Sequence, residues 1–107
     1  MLLYEKIQQD MRNAIKMKET ARLSTLRLLM SSIQYMKIEK KKDMLSDEEI
    51  IVIIRKQVKQ RHDAIESYKN AARADLQSKE EAERVILEQY LPEQLSDEDV
   101  RTIIQEI

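Results

Sequence analysis

The side chains of this sequence that bear on chemistry are one histidine and a set of arginines and lysines. His62 is the only histidine, and it stands beside Asp63 and four residues before Glu66. A hydrolytic or group-transfer site needs a nucleophile with a base, paired carboxylates in a pocket, or a metal with an open coordination position. No spacing in the sequence indicates such a set. We therefore interpret His62 as a surface residue of a helix and predict no catalytic residue.

The acidic residues, cysteines and serines do not indicate a metal or cofactor site. Cysteine is absent, which excludes disulfides, thiolate zinc sites and cysteine nucleophiles. The glutamates between residues 80 and 88 lack the Glu-x-x-His partner that di-iron bundles use. Ser46, Ser78 and Ser96 are each explained as helix caps. The sequence therefore predicts no metal and no cofactor.

The basic side chains indicate a candidate function in binding nucleic acid, because affinity for nucleic acid rests largely on neutralising phosphates. The candidate tRNA- or phosphate-binding residues are Arg22, Arg27, Arg55, Lys59 and Lys69, with the run Lys40 to Lys42 beside them. The alternative is that these residues form ordinary solvated helix faces. Phe and Trp are absent and the four Tyr residues are scattered, so a platform for stacking bases is not expected.

Arg61 differs from the other cations because it interrupts an apolar seam. Val58 precedes it by three residues and Ile65 follows it by four, so the three share one helix face. An arginine at such a position either reaches outward on its long side chain or pairs with a carboxylate. We predict that Arg61 faces a helix–helix interior, meets a carboxylate and is a structural buried charge.

The composition predicts that helices position all of these residues. The chain has no Gly and one Pro, and it is rich in residues that favour helices. We predict an all-α fold. An N-terminal antiparallel bundle of about four helices is expected over residues 1–92, followed over residues 93–107 by the first helix of a smaller helical subdomain that is truncated.

The helix that organises the chain is predicted to begin at Ser46. Around it, the sequence from Leu45 to Ile50 combines an N-cap serine, a capping-box glutamate at Glu49 and two apolar residues at the positions of a hydrophobic staple. A seam with four-three spacing follows, made of Ile54, Val58, Arg61, Ile65, Tyr68 and Ala72. The flank that carries Arg55, Lys59 and Lys69 is predicted to face water.

Three further helices are predicted in the bundle. The first spans about residues 2–18, and the second spans 21–40 with an apolar surface wider than one stripe, which indicates a central helix. Residues 73–76 are predicted as a connector, and Ser78 as the N-cap of a fourth helix that stops near Pro92. The capping pattern recurs at residues 95–100 and begins a last helix, whose apolar stripe is Val100, Ile103, Ile104 and Ile107.

Charge is distributed unevenly along the chain although the net charge is only −1. Residues 1–42 hold 10 basic and 4 acidic side chains, whereas residues 43–107 hold 9 basic and 16 acidic ones. This segregation either creates a basic face or is neutralised between packed helices. No run is long and apolar enough to predict a membrane span or a signal peptide. We expect a cytoplasmic protein.

Four segments of the sequence resemble a known family. They are RLSTLRLLMSSIQ (22–34), KQVKQRHDAIESY (56–68), ARADL (72–76) and EQYLPEQLSDEDV (88–100). Together they are similar to the YqeY-like family, which is itself similar to the tail domain of the B subunit (GatB) of the tRNA-dependent glutamyl/aspartyl amidotransferase. The resemblance implies an all-helical protein with an N-terminal bundle and a smaller three-helix subdomain.

The resemblance also implies an accessory or tRNA-recognition role. In the amidotransferase the similar tail contacts tRNA while the chemistry is performed elsewhere, and free-standing members carry the label of a carbon–nitrogen ligase with glutamine as amido-N-donor. We therefore expect a protein that is not catalytic by itself, with tRNA as its partner. The alternative is a helical adaptor that binds a protein through the stripe of its last helix and has no nucleic-acid role.

This sequence departs from the family pattern in two places. Ala72 stands where the family usually has glycine. We also expect the later part of the second subdomain to be truncated, and the resemblance implies that this part is the stronger candidate for a tRNA contact.

Overall fold

The computed structural model describes residues 2–92, which fold into four α-helices with no strand among them. They are α1 (Leu3–Lys16), α2 (Thr20–Lys40), α3 (Asp47–Asn70) and α4 (Ala74–Glu88). The prediction of an all-α fold is confirmed. The predicted last helix and its subdomain lie outside the described residues. No helix between residues 2 and 92 combines the length and the apolar character that crossing a bilayer requires.

The start of α3 has the capping box that the sequence predicts. The backbone N–H of Glu49 donates to the Ser46 hydroxyl over 3.2 Å, and the Ser46 N–H donates to the Glu49 carboxylate over 2.9 Å. Two N–H groups that would otherwise lack partners are thereby satisfied. Leu45 and Ile50, the predicted staple residues, are both buried in the main core cluster.

The predicted start of α4 is wrong. The helix begins at Ala74, so Ser78 is an exposed residue inside it rather than its N-cap, and residues 74–76 are helical rather than a connector. The physical reason is the tight reversal after α3. Residues 71–73 form this reversal, and α4 follows it without a separate connector. The Ser-x-x-Glu pattern at 78–81 is therefore only a polar helix face.

Helix α2 packs against each of the other three helices, as α3 does, and α3 and α4 form the most extensive pair. The prediction of a central α2 holds only in part, because Leu28 and Ile38 of its wide apolar surface are exposed. The core combines residues of all four helices with three residues that lie outside them. Its buried members are Ile7, Leu26, Leu29, Ile33, Leu45, Ile50, Ile53, Ile54, Val58, Leu87, Tyr90 and Leu91.

The three turns between helices close with the same hydrogen-bond pattern, although the chain has no glycine. Lys18, Lys41 and Ala72 adopt left-handed φ values of 58°, 55° and 55°. In each turn this residue's N–H bonds to the carbonyl three residues earlier, and the next N–H bonds to the carbonyl five residues before it. This is the Schellman helix ending, whose left-handed position is usually occupied by glycine. At this position a residue with a Cβ destabilises the fold by about 1 kcal/mol, because the Cβ lies too close to a backbone carbonyl oxygen.

Candidate functional site

The outer face of α3 carries the largest group of candidate phosphate ligands. Arg55, Lys59 and Lys69 are exposed, while Ile54, Val58 and Ile65 are buried. We call Arg55, Lys59 and Lys69 the basic row. The row spans 15 residues, with about 21 Å of helix from its first residue to its last, and His62 and Glu66 are exposed within it. Neither Lys59 nor Lys69 forms an ion pair with a carboxylate in residues 2–92.

The two candidate arginines of α2 lie in different surroundings. Arg22 is half-buried, and its guanidinium lies 3.7 Å from the Asp10 carboxylate and 3.8 Å from that of Glu19. Arg27 is exposed and lines a shallow groove on the outer side of α2 together with Ser24 and Leu28. The structure therefore does not bring the five candidates together as one set of contacts: Arg22 is engaged in ion pairs, and Arg27 lies on another helix than the basic row.

Arg61 joins α3 to α4 through two carboxylates. Its Nη1 lies 3.3 Å from Glu80 Oε2, and its Nε lies 3.1 Å from Glu83 Oε2. The three side chains are 20%, 15% and 16% exposed, so the cluster is largely withdrawn from water. One arginine thus balances two carboxylates. Its charge holds α4 on α3 and is not presented to a ligand on the outer face.

The lysine run at the end of α2 is also largely engaged within the protein. Lys40 and Lys42 donate to the two oxygens of Glu49 over 2.9 and 3.0 Å. The Ser46 backbone N–H and then the two ammonium groups lower the pKa of Glu49 to about 2. Glu49 therefore caps α3 and also ties it to the end of α2. These ion pairs join basic residues of the first 42 positions to an acidic residue of the later part of the chain. Part of the charge segregation is therefore neutralised between packed helices.

One polar cluster has no counterpart among the sequence predictions. The Tyr90 hydroxyl donates to Asp10 Oδ2 over 2.5 Å, and Arg22 contacts the same oxygen. Burial, followed by the neighbouring Asp10 carboxylate, raises the pKa of Tyr90 well above its usual range. The available signal was the spacing of Asp10, three residues after Ile7 and four before Ala14, which places it beside the buried stripe of α1.

Within residues 2–92, His62 and the serine that caps α3 are not brought together as a nucleophile and its base. His62 is exposed on α3, and the Ser46 hydroxyl is used as a helix cap. Between residues 2 and 92, no group of three His, Cys, Asp or Glu side chains is arranged to hold a metal ion. What the described surface offers is a set of exposed cations suited to contacting anions.

Comparison with known proteins points to one family. A family model described as "Yqey-like protein" matches residues 4–107. An uncharacterized protein of Schizosaccharomyces pombe is 32% identical over 90 residues, which is 84% of this chain and 72% of that protein. "Altered inheritance of mitochondria protein 41, mitochondrial" of Pyrenophora tritici-repentis is 32% identical over 85 residues, which is 79% of this chain and 46% of that protein. The chain thus spans about half the length of the second relative.

Proposed function

This chain belongs to the YqeY-like family, and on that premise we propose that it is a non-catalytic accessory protein that binds RNA, with tRNA as its ligand, through the basic row of α3. The observation that carries the proposal is the contrast between two sets of cations. Arg22 and Arg61 are engaged by carboxylates between helices, whereas Lys59 and Lys69 are exposed and form no ion pair within residues 2–92.

The chemistry of the basic row suits phosphates better than bases. Lysines on one flank of a long helix attract a polyanion and release its counterions, but they read no sequence. Tyr68, the tyrosine nearest the row in sequence, is half-buried, so the row has no exposed aromatic stacking platform within α3. Binding is therefore expected to be weak, steeply dependent on salt and poorly selective among tRNAs.

The proposed link to glutamine-dependent amidotransferases concerns recognition rather than the chemical step. It rests on the similarity of the sequence to the tail domain of the B subunit, which contacts tRNA. An exposed histidine and a serine used as a cap supply no activated nucleophile. We place this function in the cytoplasm, a reducing compartment in which proteins rarely rely on disulfides. One relative is named as mitochondrial.

A tRNA titration with matched charge-reversal variants tests the proposal. The row variant is Lys59→Glu/Lys69→Glu, and the control is Arg12→Glu/Lys16→Glu, which changes the net charge equally at exposed positions of α1. Binding of labelled tRNA is measured by fluorescence anisotropy at a low and a moderate salt concentration. The row variant is expected to lose binding and the control to retain it. The salt slope should fall by about 0.7 to 0.9 for each lost phosphate contact.

Two results would overturn the proposal. If the wild-type protein does not bind tRNA at low salt, the basic row is only a solvated helix face. Equal losses in the row variant and the control would show that overall charge, rather than this surface, attracts the RNA.

A further inference from the structure

Helix α2 has a second stripe with four-three spacing on the side opposite its buried seam. The buried seam contains Leu26, Leu29 and Ile33. The second stripe, which we call the outer stripe, consists of Ser24, Leu28, Ser31, Tyr35 and Ile38, and all five residues are exposed. Its three large members are 51%, 65% and 78% exposed. Single exposed apolar residues are ordinary, but three aligned on one helix face form a surface that another element can cover.

Small and large side chains alternate over the first four residues of the outer stripe, and the large Ile38 then follows Tyr35. With four-three spacing, Ser24, Ser31 and Ile38 occupy one set of seam positions, and Leu28 and Tyr35 occupy the other set. The serines leave room beside the large residues, and a shallow groove at this end of α2 is lined by Ser24, Leu28 and Ser31. A facing helix must therefore place large side chains opposite the serines.

A second copy of the same helix meets this requirement when the two helices run antiparallel. Residues of one seam set then face residues of the other set, which places Ser24 opposite Tyr35 of the second copy and Ser31 opposite Leu28. A parallel pair would instead place serine opposite serine and tyrosine opposite tyrosine, leaving voids beside crowded layers. The alternation of small and large residues thus distinguishes the two orientations.

The charges along the stripe are compatible with the same arrangement. The stripe itself is uncharged, and the charged residues at its edges are Arg27 on one side and Glu39 on the other. In the antiparallel pair Arg27 faces Gln34 of the second copy rather than its own equivalent, so no like charges meet. A partner helix with many charges along both flanks could pair only with Arg27 on one side of the stripe and with Glu39 on the other. An uncharged, self-complementary stripe therefore favours a second copy of this chain.

We propose that two copies of this protein associate through the outer stripe of α2, as an antiparallel helix pair related by a two-fold axis. The two-fold axis passes between residues 29 and 30, so the contact is isologous: residue 24 meets residue 35 and residue 35 meets residue 24. The stripe is about 21 Å long, and a single helix pair of this length belongs to the small, weak class of interfaces. Dimer formation therefore depends on protein concentration.

Sedimentation velocity over a range from about 10 μM to 1 mM, the regime of weak association, tests whether the dimer forms. Wild type is expected to shift towards the dimer as concentration rises. Leu28→Ser/Tyr35→Ser is expected to remain monomeric with unchanged helicity, because both residues are exposed in the monomer. Val52→Ser/Val85→Ser is the matched control, since these residues are 66% and 49% exposed on other helices, and it should dimerise like wild type.

Single cysteines test the orientation, because the natural chain has none to interfere. Ser31→Cys lies close to the proposed axis and is expected to form a disulfide-linked dimer under mild oxidation. Ser24→Cys alone should not, because its equivalents lie about 16 Å apart along the pair, beyond the reach of a disulfide. An equimolar mixture of Ser24→Cys and Tyr35→Cys is expected to cross-link.

Several results would overturn the dimer proposal without touching the RNA proposal. They are a wild type that stays monomeric throughout the concentration range, a control that loses dimerisation as fully as the stripe variant, and efficient cross-linking of Ser24→Cys to itself. A monomer whose tRNA affinity falls in Leu28→Ser/Tyr35→Ser, while the Lys59→Glu/Lys69→Glu variant binds normally, would assign the outer stripe to RNA and overturn both proposals.

Discussion

The phenol of Tyr90 donates a hydrogen bond of 2.5 Å to the carboxylate of Asp10, which joins the segment after α4 to α1 across nearly the whole described chain. Tyr90 is 2% exposed, so its hydroxyl depends on this acceptor. Arg22 contacts the same carboxylate and balances its charge. The residues that directly follow α4 are thereby held against the first two helices, and Pro92 comes two residues after Tyr90.

Replacing Tyr90 by Phe should lower the free energy of unfolding by about 1.5 to 3 kcal/mol, the usual cost of losing a hydrogen bond to a charged group. Urea denaturation of the purified protein measures this change. Tyr35→Phe is the control, since Tyr35 is exposed and its change should stay within about 0.5 kcal/mol. A Tyr90→Phe variant as stable as wild type would show that the hydrogen bond contributes no net stability.

The same bond predicts a dependence on alkaline pH. The pKa of Tyr90 is raised above the ordinary value of 10.0, so the folded state holds the phenolic proton more tightly than the unfolded state does. Its contribution is complete below pH 10 and is lost as pH rises beyond that, because the unfolded state then releases the proton first. The stability difference between wild type and Tyr90→Phe should therefore shrink above pH 10. A difference that grows there would contradict this assignment.

Removing Arg61 should destabilise the protein through the carboxylates that it leaves behind. Arg61→Met keeps the volume but leaves Glu80 and Glu83 without their cation, and we expect a loss of about 2 to 4 kcal/mol, near the lower end of the cost for buried pairs. Adding Glu80→Gln and Glu83→Gln to Arg61→Met should recover most of it. Thermal and urea unfolding of both variants measure these effects. A single variant with unchanged stability would show that the cluster contributes little.

Glycine at the left-handed turn positions should stabilise the protein. Lys18→Gly, Lys41→Gly and Ala72→Gly each remove a Cβ from a residue with positive φ, and each should raise the unfolding free energy by up to about 1 kcal/mol. Lys79→Gly, inside α4, is the control and should cost about 1 kcal/mol. Differential scanning calorimetry of the four variants separates the two directions. Losses at all four positions would mean that the turns tolerate Cβ without strain.

Glu49 should make stability depend on acid. Its pKa is lowered to about 2 from 4.5, so its contribution is complete above about pH 4.5 and is lost as pH falls towards 2. Glu49→Gln keeps an acceptor for the Ser46 N–H but carries no charge. The melting temperature of wild type should exceed that of Glu49→Gln at pH 7, and the two should converge near pH 2. A constant difference across this range would rule out the charge as its cause.

The periodicity of single helices could be read from the sequence because it depends on local spacing. The capping box at Ser46, the buried seam of α2 and the wet flank of α3 all follow from neighbours within a few residues. The start of α4 was misplaced because a helix boundary also depends on the preceding turn. Residues 71–73 close α3 so tightly that α4 begins immediately, and a helix N-terminus without a side-chain cap has no signature of its own.

The sequence by itself determined that this protein is helical, that α3 presents a basic flank to water and that Arg61 stands on an apolar seam, because these properties arise from spacings along one helix. Only the tertiary structure decided which charges remain available. Asp10 reaches Arg22 and Tyr90, Glu49 reaches Lys40 and Lys42, and Glu80 and Glu83 reach Arg61. Most of these contacts join different helices. Their geometry depends on how the helices pack, which local spacing does not specify.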